Sequence, residues 1–412
     1  MQLFCLNYKK ISFLTLFVIL IITFFSVDQW SPIKLSNFPL RVIVWSILLI
    51  IIVSMRDFFL NKRDKQLFNY LNLYLFWSII CCIRGLWNFQ GYIEFRHLVY
   101  GFFAVISPSL IILFNKSSFI SYFYKFWMKY AIIAFLLFFY WQVGITQFYL
   151  SPLLLLLFCF YSLFPKKKKI IIIILIIIWC YNSGFEERAQ FVKGFVSFIV
   201  GCLVYYSDKL SQRILKIGHI LGYASVLILF LYVLTDFVGL ISGKQSPSES
   251  QIEGKNINVD SRSLLYLDVI ESSIKHNYVI QGRTPARGHD IINSGALFYR
   301  ENDDLNDFSR NERHFDEMLF GNIYTWEGIV GVLLLSLVYL KATFLAVYKS
   351  KNNYIKLLGC FIAFRWSFGW IEDPIEFNIS TISLFCMIGM CYSKEISNMN
   401  TLQFKQWIRT LI

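Results

Sequence analysis

The stretch DFVGLISGKQSPSESQIEGKNINVD (236–260), continued by SRSLLYLDVIESSIKHNYVIQGRTPARGHD (261–290) and closed by RNERHFDEMLFGN (310–322), is the long polar part of this chain. It holds three of the five histidines, His276, His289 and His314, and nine of the 39 Lys and Arg residues. Apolar runs stand on both sides of it. It is therefore the one segment long enough to fold over a site and polar enough to do chemistry, and its placement predicts a loop that roofs a helical bundle.

Working outward, 57% of the residues are hydrophobic and only 16% are charged, where a soluble domain carries nearer a quarter charged. The apolar residues come in runs of about 15 to 20 rather than in amphipathic stripes, which places the chain in the membrane class. Runs fall near 12–27, 40–55, 67–83, 98–114, 127–143, 148–164, 170–181, 191–207, 217–235, 323–340, 357–371 and 378–392. The expected fold is an all-α polytopic membrane protein of about 12 transmembrane helices, with one large lumenal or periplasmic loop between spans 9 and 10. The chain then divides into 1–235 with spans 1–9, the loop 236–322, and 323–412 with spans 10–12 and a cytoplasmic tail. No small-x-small cleavage site follows the first run, so it reads as a retained span rather than a signal peptide.

The formal charge of +13 raises the question of nucleic acid, and the location of the charge answers it. With both termini cytoplasmic, the inside segments carry 23 Lys and Arg residues and the short outside segments seven. That is the positive-inside bias of a membrane protein, which excludes a nucleic-acid surface and puts the long loop outside. The nine cysteines lie in or beside apolar runs, with no CxxC pair and none in the loop. They read as small buried residues, so no disulfide is available to fasten the roof.

Three features could carry chemistry. PKKKK (165–169) precedes an apolar run of about 12 residues, ~18 Å at 1.5 Å each against a hydrocarbon core of ~30 Å. The mismatch predicts that the turn NSGFEERAQ (182–190), with Arg188, sinks toward a wet cavity. Within the loop, 242–260 reads as a linker, and 261–277 as a helix with Leu264, Leu267, Val269, Ile270 and Ile274 on one face. Gly and Pro then break the chain at QGRTPARGHD (281–290) and present Arg283 and Arg287 near a turn. Arginines at that level suit a diphosphate, because a guanidinium stays charged and grips phosphate oxygens in pairs; the plain alternative for each is a solvated or headgroup-anchoring charge. His314, close to the start of a span, is a candidate general base. HFDE (314–317) could be read as a metal pair, but no second histidine follows at helical spacing.

These residues together resemble the bacterial O-antigen ligase/polymerase superfamily. HFDEMLFGNIYTWEGIVG is similar to the family's His…Glu-x-Gly-x-x-Gly exit from its large periplasmic loop, at His314, Glu327, Gly328 and Gly331. GFEERAQF is similar to its outer turn at Arg188. SRSLLYLDVIESSIKHNYVIQGR is similar to its loop start at Arg262 and Gly282, and IEDPIEF (371–377) to its penultimate outside turn. The chain departs from the pattern at Phe315, where the family has Asn, and at Glu186-Glu187 before Arg188.

The resemblance implies a metal-independent glycosyltransferase of the bacterial inner membrane, without cofactor, using an undecaprenyl-diphosphate-linked oligosaccharide as donor. Arg188, Arg262 and Arg283 or Arg287 would hold the diphosphate, His314 would activate the acceptor hydroxyl, and Glu327 would orient His314 or its stretch of loop. Membrane lipids and a chain-length regulator protein are the partners it implies. The Phe- and Ile-rich composition and the degenerate histidine motif favour an O-antigen polymerase over a ligase transferring the chain to lipid A core. A lipid-linked oligosaccharide flippase is the rival of another class; it predicts charges within the spans and two related halves, and leaves the long one-sided loop unexplained.

Overall fold

The computed structural model describes residues 8–26, 35–60, 62–138, 146–183, 188–241, 261–292 and 311–412. Among the described residues the protein is all-α apart from one pair of two-residue strands, and the described part of each apolar run falls on helix. Three of the described helices are long and apolar enough to cross a membrane on their own: Lys65–Asn88, Tyr92–Asn115 and Leu319–Lys349. The others follow the local signals of the chain. Asn37, Asn352 and Asn378 each accept a backbone N–H three residues on and so start a helix, satisfying donors that would otherwise be orphaned.

Burial sorts the helices into layers. Along Ile379–Tyr392 the side chains are buried on every side, which marks a central helix rather than a lipid-facing one. It packs on the buried 3-10 stretch Ser107–Asn115. The helix 166–183 contains the short apolar run and extends past it at both ends. It takes in the lysines at one end and Asn182 and Ser183 at the other, making 18 residues, about 27 Å. The added residues are polar, so the apolar run itself is no longer than the sequence shows; residues 184–187 of the following turn lie outside the described segments, as does the expected linker 242–260.

The loop meets the bundle along a main-chain seam. The Leu319–Phe344 helix is broken at Gly328, which has φ 68 and ψ −168. Residues 279–284 run into that break. The Ile329 and Val330 amides donate to the Val279 and Ile280 carbonyls at 2.9 and 3.3 Å, and the Arg283 and Thr284 amides to the Thr325 and Trp326 carbonyls at 2.7 and 3.1 Å. Arg84, from the helix 69–88, donates to the carbonyls of Gln281 at 2.8 Å and Gly282 at 3.2 Å. A side chain on Gly282 (φ 71) would collide with the main chain of Trp326 and Glu327, and one on Gly328 with that of Ile280 and Gly282.

The loop helix Ser261–Lys275 turns a different face inward from the one its apolar spacing predicts. Leu265, Asp268, Val269 and Ser272 are buried, while Ile270 and Ile274 are 48% and 64% exposed. Three of the buried residues, Asp268, Ser272 and Ser273, are polar, which an apolar-periodicity reading passes over. The helix ends at Asn277, which takes the left-handed conformation (φ 54) that Asn tolerates at a helix end.

Because φ 68 with ψ −168 is a region only glycine occupies at low cost, Gly328→Ala should lower stability by about 1–3 kcal/mol from backbone strain alone, and by more once the Ile280 contact is forced. Gly91→Ala, where an added methyl meets nothing, should be close to neutral. Thermal unfolding of the two purified variants in detergent checks this; equal midpoints would refute it.

Candidate functional site

Residues 281–290, 312–318 and the turn 369–376 meet over the N-terminal end of the broken helix. The Leu319 and Phe320 amides donate to the carbonyls of Glu372 and Gly369, at 3.4 and 3.1 Å. The two short strands pair antiparallel, His289 with Arg313 and Asp290 with Glu312. Tyr266 of the loop helix donates to the Trp370 carbonyl, so the loop helix also reaches this turn.

His314 is buried here, 2% exposed. Its Nε2 lies 2.6 Å from the Pro285 carbonyl. A carbonyl only accepts, so Nε2 carries the proton and Nδ1 is the lone-pair nitrogen. Nδ1 is buried without a hydrogen-bond partner. The ring stacks on His97, centroids 4.0 Å apart and planes 25° apart, and packs on Phe315 and Trp326. Burial first, and then the like charge that His97 would bring, push its pKa well below the usual range, outweighing the Pro285 bond. The imidazole is therefore neutral at pH 7, with the Nδ1 lone pair left without a hydrogen-bond partner. The turn beneath it is strained: Thr284, a β-branched residue, sits at φ 97, a conformation that costs on the order of 1–3 kcal/mol and persists only when its surroundings impose it.

Arg283 and Arg287 are not presented as free cations. Arg283 bonds Asp290 at 2.9 Å and Glu312 at 3.0 Å, and Arg287 grips Glu312 with Nε at 3.0 Å and with its terminal nitrogen. Lys275 and His276 also reach Asp290, at 2.7 and 2.8 Å. Burial works against the Asp290 charge, but hydrogen bonds from Lys275, His276 and Arg283 outweigh it and bring its pKa to about 2. These arginines lock the loop; a diphosphate would have to compete with two carboxylates for them.

Glu327 is fully buried beside Tyr74 and Ser78 of the facing helix. The residue of this stretch in ring contact with His314 is Trp326, while Glu327 meets the loop at Gly282 through its backbone. Arg188 and Arg262 are placed by backbone: Arg188 opens the helix 188–205, and Arg262 lies one turn before Tyr266 in the loop helix. Their side chains fall outside the described ones.

The helix that Arg188 opens carries a second charged group, which sequence reasoning counted only as outside charge. Lys193 lies 2.7 Å from Asp373, and Arg365 reaches the same carboxylate at 2.9 Å through Nε and 2.6 Å through its terminal nitrogen. All three side chains are at most 5% exposed. Burial opposes the Asp373 charge, yet Arg365 and Lys193 together hold its pKa below the usual carboxylate range. Asp373 has φ 70, so the backbone is held in an uncommon conformation where the carboxylate meets both cations. Two cations against one carboxylate leave a surplus positive charge beside a cleft lined by Leu319, Pro374 and Thr381.

His97 was missed although it stands one residue before the 98–114 run, a position that flags it. Asp373 sits in the IEDPIEF turn, whose lack of Lys and Arg hid the cations it receives from elsewhere. Among the described residues no group of three His, Cys, Asp or Glu suits a metal ion. No protein-family model, curated protein or solved structure matches the chain.

Asp290 has a folded pKa below its unfolded value of ~3.9, so its contribution is present above that value and lost as pH falls through about 2. After discounting for its partly solvated edge, Asp290→Asn should cost about 1–2 kcal/mol at pH 7. The gap to wild type should close between pH 4 and 2 in thermal unfolding; a gap that stays constant would overturn the assignment.

Proposed function

We propose that this chain is a glycosyltransferase embedded in the bacterial inner membrane, with twelve spans, both termini cytoplasmic and the long loop periplasmic. It joins undecaprenyl-diphosphate-linked oligosaccharide repeat units into a polysaccharide, as an O-antigen polymerase does. The observation that carries this reading is buried His314, whose Nε2 is taken by the Pro285 carbonyl and whose Nδ1 has no hydrogen-bond partner.

In this mechanism the acceptor hydroxyl gives its proton to His314 Nδ1 while its oxygen attacks the anomeric carbon of the donor. The bond from that carbon to the diphosphate breaks, and undecaprenyl diphosphate leaves with the bonding electrons. Charge grows on the diphosphate as it departs, so fixed cations aimed at it lower the barrier. Arg188 and Arg262 are the residues proposed to hold it. Lys193 lies on the same helix as Arg188, and the positive charge it shares with Arg365 at Asp373 supports that placement. Arg283 and Arg287, held by carboxylates, serve mainly to keep the loop closed over the site. Cations here supply the charge neutralisation that a divalent ion supplies in nucleotide-sugar enzymes.

The test is gel analysis of surface lipopolysaccharide from a strain lacking the gene, complemented with variants whose membrane insertion is verified. His314→Ala should lower chain formation at least about 100-fold, and Arg188→Ala or Arg262→Ala should leave a single repeat unit on the core. Bare core with long chains on the carrier would replace polymerase with ligase. An unaltered ladder from the null strain would remove the O-antigen assignment altogether.

A further inference from the structure

The limb of the loop between the loop helix and the seam has an exposed apolar surface that continues onto the broken helix. Ile270, Ile274, Val279 and Ile280 are 48%, 64%, 39% and 68% exposed. Beside them on the Leu319–Phe344 helix, Ile329 and Leu333 are 38% and 57% exposed. The amides of Ile329 and Val330 bond the carbonyls of Val279 and Ile280, so the two apolar surfaces share one level. From Ile329 to Lys349 the helix covers about 30 Å at 1.5 Å per residue, the thickness of a hydrocarbon core.

The facing helix gives an independent measure of that level. Cys81 Sγ lies 3.8 Å from the Gln281 carbonyl. Trp87, 76% exposed, and Tyr92, 65% exposed, stand beyond it where interfacial aromatics belong. Six residues of helix separate Cys81 from Trp87, about 9 Å. Val279 and Ile280 therefore sit below the aromatic level, not above it.

The backbone is finished as hydrocarbon demands. Five consecutive carbonyls accept protein hydrogen bonds: Tyr278 from the Gly282 amide, Val279 from Ile329, Ile280 from Val330, and Gln281 and Gly282 from Arg84. In water such carbonyls need no protein donor. In lipid each unsatisfied group costs several kcal/mol, and irregular backbone is tolerated only where it is satisfied. Charged groups mark the upper edge, where Lys275 and His276 turn toward Asp290. Ile270 and Ile274 alternate with exposed Glu271 and Lys275, the pattern of a helix lying in an interface.

We infer that residues 270–280 form a re-entrant limb that dips into the outer leaflet, with Val279 and Ile280 against lipid acyl chains and the charged cluster just above them. The inference rests on the Leu319–Lys349 helix crossing the bilayer, and the test separates the two. Nitroxide labels are placed on Ile280→Cys, Leu333→Cys and Lys351→Cys of the full chain in phosphatidylcholine/phosphatidylglycerol nanodiscs, with the signal of the identically treated unsubstituted protein subtracted. Collisions with oxygen, which concentrates in lipid, are compared with those of a water-soluble nickel chelate. Position 280 should match 333, with oxygen favoured at least several-fold over the pattern at 351. A nickel-dominated signal at 280 would overturn the inference, as would low access to both probes, which means that protein, such as a second copy, covers the limb. A nickel-dominated signal at 333 would remove the membrane reading and the limb with it.

Discussion

A buried backbone amide or carbonyl has to find a partner within the protein, and that demand shapes the break at Gly328. Gly328 interrupts the helix that leaves the loop, and the chain of 279–284 fills the gap with main-chain hydrogen bonds. Neither piece is complete without the other. The helix end that carries Trp326 under His314, the turn that brings Pro285 to His314, and the position of Arg283 beside Asp290 all follow from how that joint is made. Arg84 fastens it from the side, spending its guanidinium on two carbonyls of the loop rather than on any anion.

Above the joint, the site is built from opposed charges that leave little slack. Asp290 gathers Lys275, His276 and Arg283, and Glu312 gathers Arg283 and Arg287. The seven described free cysteines all lie in bundle helices, so ion pairs and main-chain bonds do the fastening. The surplus positive charge at Asp373 is of another kind. It is buried, and its two cations share the one Asp373 carboxylate, so a second anion reaching it would complete the pairing.

The helices were legible because apolar runs separated by charged loops leave few alternatives, and because Asn caps mark several starts. His314 and the 281–290 turn were legible because Gly, Pro and His stand out against an apolar background. The inward face of the loop helix was not, since Asp268 and Ser272 are buried and Ile270 and Ile274 exposed, the reverse of what periodicity assumes in water. The partners of Arg283 and Arg287 were not, because Asp290 and Glu312 meet them through tertiary contacts and a two-residue strand pair. His97, Lys193 and Arg365 come from helices distant in the chain, and only packing brings them to the loop.

A joint made of main chain has a consequence for how such a chain can drift over time. Every residue type except proline offers the same amide and carbonyl, so the seam's hydrogen bonds fix the letter only at Gly282 and Gly328, while Val279 and Ile280 need be no more than apolar and Gln281 is nearly free to change. The architecture is thus stored in two letters and a spacing rather than in a readable word. Chains sharing this joint can diverge until little text is common to them while the same backbone still closes the same gap.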